Sequence, residues 1–202
     1  MQEPEFWAGF AETVRRIVVG FALASLIGVA VGSVIGFSAS LREYVEPTLE
    51  LIRPLPTSAV IPLFVLMLGL NERMMIAVIA FASLWPVLLA TVHGFKTVEP
   101  RLTEVARMLQ LTRLELIFKI ALPNAMPDIF AGLRLALTIS LILAVVTEML
   151  SGMNGLGHNI ITAARSFHSA ELYAGIIVLG ALGYLTNVVL EGVERRVLRW
   201  RA

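Results

Sequence analysis

The chain has 202 residues, of which 57% are hydrophobic and 15% charged, with a formal net charge of +1 and a mean hydropathy of +0.82. That apolar fraction is far above the level of soluble domains and marks a membrane protein, while the near-zero charge argues against a nucleic-acid binder, which carries a basic excess. With no cysteine, disulfides, thiolate metal centres and cysteine nucleophiles are excluded.

In chain order, residues 1–11 carry Glu3 and Glu5 and lack the basic start of a signal peptide, so insertion relies on the first transmembrane segment. These residues read as an N-terminal interfacial segment ahead of a core at 12–200, in one transmembrane domain covering 1–202. A hydrocarbon layer about 30 Å thick takes about 20 apolar residues of helix. Segments 17–37, 55–70, 74–92, 129–150 and 172–190 meet or approach that length, which predicts an all-α polytopic fold with about five transmembrane helices.

The first span places Gly28, Gly32 and Gly36 on one stripe, a face for close helix packing, within the subunit in preference to a dimer contact. Around the second, Pro54, Pro56 and Pro62 remove backbone donors, and Trp85-Pro86 interrupts the third. Broken helices at membrane depth belong where they are buried in protein or line a wet cavity. A moving pathway at Pro56 and Pro62 and a static kink that serves packing are both compatible with these prolines.

Orientation follows from Lys and Arg. Lys96, Arg101, Arg107, Arg113 and Lys119 lie between the third and fourth spans, and Arg195, Arg196, Arg199 and Arg201 follow the fifth, so both segments are expected in the cytoplasm. Five crossings then leave the N-terminus outside, where Arg15 and Arg16 conflict with the rule.

Within the spans, Arg134 suits pairing near the cytoplasmic interface. Glu148, near the outer end of the fourth span, suits either a pathway or gate role or snorkelling to the interface. The segment 151–157 is glycine-rich and turns helical through Phe167, as a re-entrant or surface helix would. A plain loop would expose Ile160, Ile161 and Phe167. His93, His158 and His168 have no zinc spacing. There is also no nucleophile elbow and no phosphate loop, so no catalytic residue, metal site or cofactor is expected and the chain should not hydrolyse ATP itself.

The most specific signal is a charged, helix-patterned segment between the third and fourth spans, Glu104-Val105-Ala106-Arg107-Met108-Leu109-Gln110, followed by Ile120-Ala121-Leu122-Pro123. It resembles the EAA loop of permease subunits in ATP-binding-cassette importers: Glu104, Ala106, Ile120, Leu122 and Pro123 fall at matching positions. Val105 replaces an alanine, and Gln110 stands where the family usually has glycine. Arg53-Pro54-Leu55-Pro56, Gly132-Leu133-Arg134, Glu148-Met149-Leu150 and Gly155-Leu156-Gly157 are similar to the nitrate/sulfonate/taurine-type branch, over about residues 13–200.

This resemblance implies a type I importer permease in the inner membrane of a prokaryote, working as a dimer, with a second copy as the expected mate. Its other partners would be two cytoplasmic ATPase subunits and an external solute-binding protein, and its cargo a small anion such as a sulfonate, taurine or nitrate. A coupling helix near 101–111, with Glu104, Ala106, Arg107, Gln110, Leu111, Leu122 and Pro123 at the ATPase contact, would drive alternating access, the proline acting as a stop. Members often carry one further N-terminal helix, whose absence would account for the Arg15/Arg16 conflict. A self-sufficient carrier or channel, and a membrane scaffold, are the competing classes. A carrier would show internal repeats and several buried ionisable groups, and a scaffold would use the loop only to recruit a partner and has no need of kinked spans.

Overall fold

The computed structural model describes residues 3–52 and 57–201, so Arg53, Pro54, Leu55 and the expected pathway residue Pro56 lie outside the described residues. The elements are α1 (Glu3–Phe37), α2 (Ala39–Ile52), a 3-10 turn (Thr57–Val60), α3 (Ile61–Leu68), α4 (Glu72–Lys96), α5 (Pro100–Met108), α6 (Arg113–Leu116), a π-helical turn (Ile117–Ala121), α7 (Leu122–Ser151), α8 (Leu156–Arg165) and α9 (Ser169–Val197).

Four helical stretches are long and apolar enough to cross a bilayer among the described residues: Phe6–Phe37, Glu72–Lys96, Arg113–Ser151 and Ser169–Val197. The second expected span is instead the short apolar helix Ser58–Leu68. The chain nevertheless makes a fifth passage there, as helix direction shows. Along α1, a Cβ placed on Gly20, Gly28, Gly32 or Gly36 would run into Ile79, Val87, Thr91 or Phe95 in turn, so α1 and α4 run parallel. Leu49 packs with Ile35, Leu88 and Val92 at one end, while Glu72 pairs with Arg15 at the other. The 20 residues from Glu72 to Val92 span about 30 Å of helix, and residues 50–71 must recross that distance.

The glycine stripe therefore packs inside the subunit. A Cβ on Gly32 would stand 2.9 Å from the Leu88 carbonyl oxygen and 2.7 Å from Thr91 Cβ, so only glycine admits the backbone of α4. Such close approach matters because apolar side chains gain little by leaving lipid for one another, and packing contacts hold the helices. α7 runs antiparallel to α4: Gly94 abuts Ala125 and Gly132 abuts Ala90, with the buried Ser83 and Ser140 hydroxyls 2.7 Å apart between them. Ile17, Met74, Met75, Val78, Ile79 and Leu156 gather in the main apolar core at the α1/α4/α8 end. α9 lies on the outside, buried only at Gly175 and Leu182 and tied to α7 by the Arg134–Glu194 ion pair at 2.5 Å.

The helices outrun the apolar windows that announce them. α1 starts at Glu3 and takes in residues expected to be interfacial, and α9 ends at Val197, beyond Glu191, Glu194 and Arg195. Hydropathy marks the lipid-facing part of a helix, whereas backbone hydrogen bonding continues into its polar flanks.

Candidate functional site

Three features are arranged along α4 and α7. The first is the loop between them. α5 opens at Pro100, whose missing N–H leaves no bond unmade in a first turn. Glu104 is exposed and Ala106 is buried, with Leu102, Val105, Met108 and Leu109 open to the surroundings. Arg107 lies in α5, and its side chain is outside the described residues. α5 ends in a Schellman-type turn, with the Leu111 N–H donating to the Ala106 carbonyl at 3.0 Å. The residue in the left-handed position of that turn is Gln110, at φ 52°. The turn expected of a glycine is thus made by glutamine, against the steric preference of an L-residue.

The chain then enters α6 through a capping box: the Glu115 N–H donates to Thr112 Oγ1 at 3.3 Å, and the Thr112 N–H to Glu115 Oε2 at 3.0 Å. Pro123 does not act as the expected stop. α6, the π turn and α7 form one apolar helical stretch of 39 residues, Arg113–Ser151. A proline in mid-helix removes one i→i−4 bond and crowds the preceding turn. Here the ladder widens just before it, with the Leu122 N–H donating to Ile117 five residues back, and the helix passes through as a π-bulge. Leu122 and Pro123 are half-buried at this junction, as Leu111 is after the turn. Leu114 and Phe118 remain exposed beside it.

The second feature is a cavity of about 630 Å³ between α2, α4 and α7. It is lined by Phe81, Trp85, Pro86 and Leu89 of α4, by Gly132, Leu135 and Ile139 of α7, and by Val60. Phe81 and Trp85 meet edge to face with centroids 5.6 Å apart. From Phe81 to Lys96 the wall extends about 20 Å along α4, and its charges gather at the Lys96 end, where Arg42, Glu46, Lys96 and Asp128 stand with His93. Lys96 pairs with Glu46 at 3.2 Å, and Arg42 donates to the Gly36 carbonyl at 3.0 Å. The Trp85-Pro86 step therefore lines a cavity. Pro62 does not: it occupies the exposed first turn of α3, where a proline costs no bond.

The third feature lies at the opposite end of α7. Glu148 is fully buried and does not snorkel. Its Oε1 receives the Arg16 guanidinium at 2.8 Å, and Arg16 is itself 2% exposed. The Thr13 hydroxyl lies 2.9 and 3.0 Å from the two Glu148 oxygens, and the Gly157 N–H donates to Oε2 at 2.9 Å. Thr13 Oγ1 also accepts the Leu156 N–H at 2.9 Å, and Arg16 donates to the Asn154 carbonyl at 2.7 Å. α8 has no side-chain cap of its own at Gly155. Its first two N–H groups are capped from other helices, by Thr13 of α1 and Glu148 of α7. The connection between α7 and α8 turns at Gly152, φ 70°, and the carboxylate fills the space that a Cβ on Gly155 would need.

The sequence placed Glu148 in a gate or at an interface. It missed the partners, Thr13 and Arg16, because they are more than 130 residues away in the chain. The one available signal was the pair of arginines on the wrong side of the charge rule. Arg16 is paired with Glu148, and Arg15 with Glu12 and Glu72, so both conflicting charges are compensated locally. Arg134 pairs with Glu194, as expected of it. Phe167, expected to be covered, is 91% exposed and holds φ 56° at the end of α8.

A bundle with an exposed amphipathic helix at one end, a cavity between its central helices and a sealed ion pair at the other end is a transport-type membrane domain. Residues 24–200 match the family described as binding-protein-dependent transport system inner membrane component, and the chain belongs to that family. It is 35% identical over 94% of its length, and 68% of the relative's, to a Bacillus subtilis (strain 168) protein named as an aliphatic sulfonates transport permease. The nitrate import permease protein NrtB of Leptolyngbya laminosa is 32% identical over 96% of this chain and 69% of its own. The taurine transport system permease protein TauC of Escherichia coli (strain K12) is 30% identical over 96% and 70%. Among solved structures, a chain of the MetNI methionine ABC transporter in an inward-facing conformation superposes with a TM-score of 0.81, covering 98% of this chain and 99% of that one at 19% identity. At that identity the likeness concerns the fold. The chain is a multi-pass permease component of the nitrate/sulfonate/taurine type.

Proposed function

We propose that residues 1–202 form one permease domain, with its core at 12–200, that imports a small anion such as a sulfonate, taurine or nitrate by alternating access. The drive comes from two cytoplasmic ATPase subunits, and an external binding protein delivers the solute. The permease works as a homodimer and performs no ATP hydrolysis of its own. The α4–α7 loop and the C-terminus face the cytoplasm of a prokaryote.

The observation that carries this reading is the short, hydrogen-bonded connection from the exposed helix α5, through a turn and a capping box, into the helical stretch Arg113–Ser151 that contains the pathway helix α7. Glu104 and the apolar side chains around it offer a docking face. Ala106 and Gln110 set the turn that follows, Leu111 leads into the capping box, and Leu122 and Pro123 stand where the rod passes its bulge. A displacement of α5, with Arg107 in its last turn, is thereby passed to the wall of the cavity. Coupling of this kind requires that α5 bind the two ATPase states unequally, because only a difference in affinity shifts an equilibrium. Pro56 and Pro62 fall within residues 50–71 of the sequence, the segment that recrosses, and belong to the mobile part of the pathway in this reading. Glu148 closes its outer end.

The test is purification from native membranes in mild detergent, followed by reconstitution in liposomes. A stoichiometric ATPase in the preparation, and uptake of radiolabelled taurine, an alkanesulfonate or nitrate that requires ATP and binding protein, would support the reading. A chain recovered alone that moves solute without ATP would replace it with a self-sufficient carrier.

A further inference from the structure

Resting on that reading, we propose that Thr13 and Arg16 of α1 are positioning residues that, together with Glu148, lock the outer helix α8 onto α7. α8 is thereby carried by the rod that starts at the coupling loop.

Two physical features set this cluster apart from ordinary packing. First, α8 is joined to α7 by a short glycine-rich turn, Gly152 to Gly155, which by itself permits α8 to pivot. The polar cluster removes that freedom: both leading N–H groups of α8 are bonded to side chains of other helices, and Arg16 ties down the intervening Asn154 carbonyl. Second, the bonds are made by a charge pair sealed from solvent, with Thr13 and Glu148 fully buried. A carboxylate in a dry site strengthens its hydrogen bonds to backbone N–H groups. The positive end of the α8 dipole adds to this, since it faces the Glu148 oxygens at Gly157.

The apolar contacts of α8 are of another kind. Leu156 is buried in the main core and Ile160 lies against Gly175 of α9, contacts that tolerate sliding. The polar cluster fixes orientation, and it does so at the far end of the same helix whose near end follows α5. Loss of the cluster should therefore leave α8 helical and packed but let it turn independently of α7. A push at the cytoplasmic end would no longer move the outer mouth.

The chain has no cysteine, so two introduced cysteines carry spin labels without background. Leu150→Cys on α7 and Thr162→Cys on α8 are both exposed positions. The labelled chain is measured in liposomes with its ATPase subunits, with and without ATP. The expected result is one narrow distance in both states, and a broad or doubled distribution in Glu148→Gln and in the milder Thr13→Val. Thr13→Ser, which keeps the hydroxyl, should restore the narrow distance. ATP hydrolysed per solute imported should rise about tenfold in Thr13→Val, within the usual range of a coupling between sites, and return to the parental ratio in Thr13→Ser. A distance that stays narrow in both disrupting variants overturns the proposal, as does an unchanged coupling ratio in Thr13→Val. Absence of ATP-driven uptake in the parent chain would overturn the importer reading alone, since the distances report on the lock without any transport.

Discussion

Arg16 Nη1 lies 2.8 Å from Glu148 Oε1, across 132 residues of sequence, and neither side chain reaches solvent. A charge pair in such a place is poor evidence of stability in itself, because taking both ions from water costs about as much as their attraction returns. Its structural content is specificity. It fixes the rotation of α1 against α7 and holds the turn that starts α8.

Breaking this pair should cost far more than removing it. Arg16→Met alone leaves the Glu148 charge buried without its cationic partner, a loss of about 3–5 kcal/mol, whereas Glu148→Leu leaves Arg16 its second partner, Glu12 at 3.5 Å, and should cost less. The double substitution Arg16→Met/Glu148→Leu should recover most of the Arg16→Met loss, because apolar groups of similar volume often replace such pairs without loss, and fall short of the parent by about 1–3 kcal/mol for the Gly157 N–H left without its Glu148 acceptor. Thermal unfolding of the four proteins in one detergent checks this. Additive losses in the double variant would show that the two side chains act separately.

The gross architecture was readable because the bilayer demands long apolar runs, and four of the five expected segments coincide with crossing-length helical stretches. The fifth was legible as a passage but not as a full-length helix, since α3, with Pro62 in its first turn, covers only Ile61–Leu68. The glycine stripe gave the α1–α4 face, because close approach needs glycine wherever the partner comes from. The direction of that packing was not readable: parallel α1 and α4 follow from tertiary contacts alone. Nor was the passage of the helix through Pro123, since a proline's effect depends on whether neighbours can take up a π turn. The partners of Glu148 were hidden for the same reason. Pairing between distant helices leaves no period in the sequence.

Gln110 offers a direct test of the turn after α5. At φ 52° it holds a left-handed conformation that costs an L-residue about 1–2 kcal/mol and glycine little. Gln110→Gly should stabilise the protein by about 1 kcal/mol, less whatever the unfolded chain gains in freedom, which is about 2–4 °C in Tm for a chain of this size. Gln110→Val should lower Tm, since β-branching is worst placed at positive φ. Scanning calorimetry of the two variants gives the sign. A lower Tm for the glycine variant would mean that the Gln110 side chain makes a contact worth more than the strain.

Gly132 tests the cavity wall. A Cβ there would approach Ala90 Cβ to 2.5 Å and the Pro86 carbonyl oxygen to 2.8 Å, and neither backbone nor Cβ can move aside cheaply. Gly132→Val should therefore wedge α4 from α7, costing about 1–3 kcal/mol and reducing uptake beside a cavity that depends on that spacing. Ala90→Gly in the same chain removes one of the two obstacles and should recover part of both losses. Uptake and Tm measured on the single and double variants decide it. No recovery in the double variant would place the damage at the Pro86 carbonyl alone.

Glu104 tests the docking face with the least disturbance to the fold. Its side chain is exposed on α5, and it belongs to none of the ion pairs found among the described residues, so its removal breaks no ion pair among them. If the carboxylate meets a cationic groove on an ATPase, Glu104→Arg replaces attraction by repulsion and should weaken association at least about tenfold, or about 1.4 kcal/mol. Glu104→Gln should fall between the two. Insertion, Tm and the Leu150–Thr162 label distance should stay at parental values in both variants, which separates a docking defect from a folding defect. Binding is measured by titrating the ATPase against the chain in nanodiscs at two salt concentrations. An exposed charge contact should weaken further with salt in the parent and lose that dependence in Glu104→Gln. Unchanged affinity and unchanged uptake in Glu104→Arg would remove α5 as the site at which ATP energy enters the membrane domain.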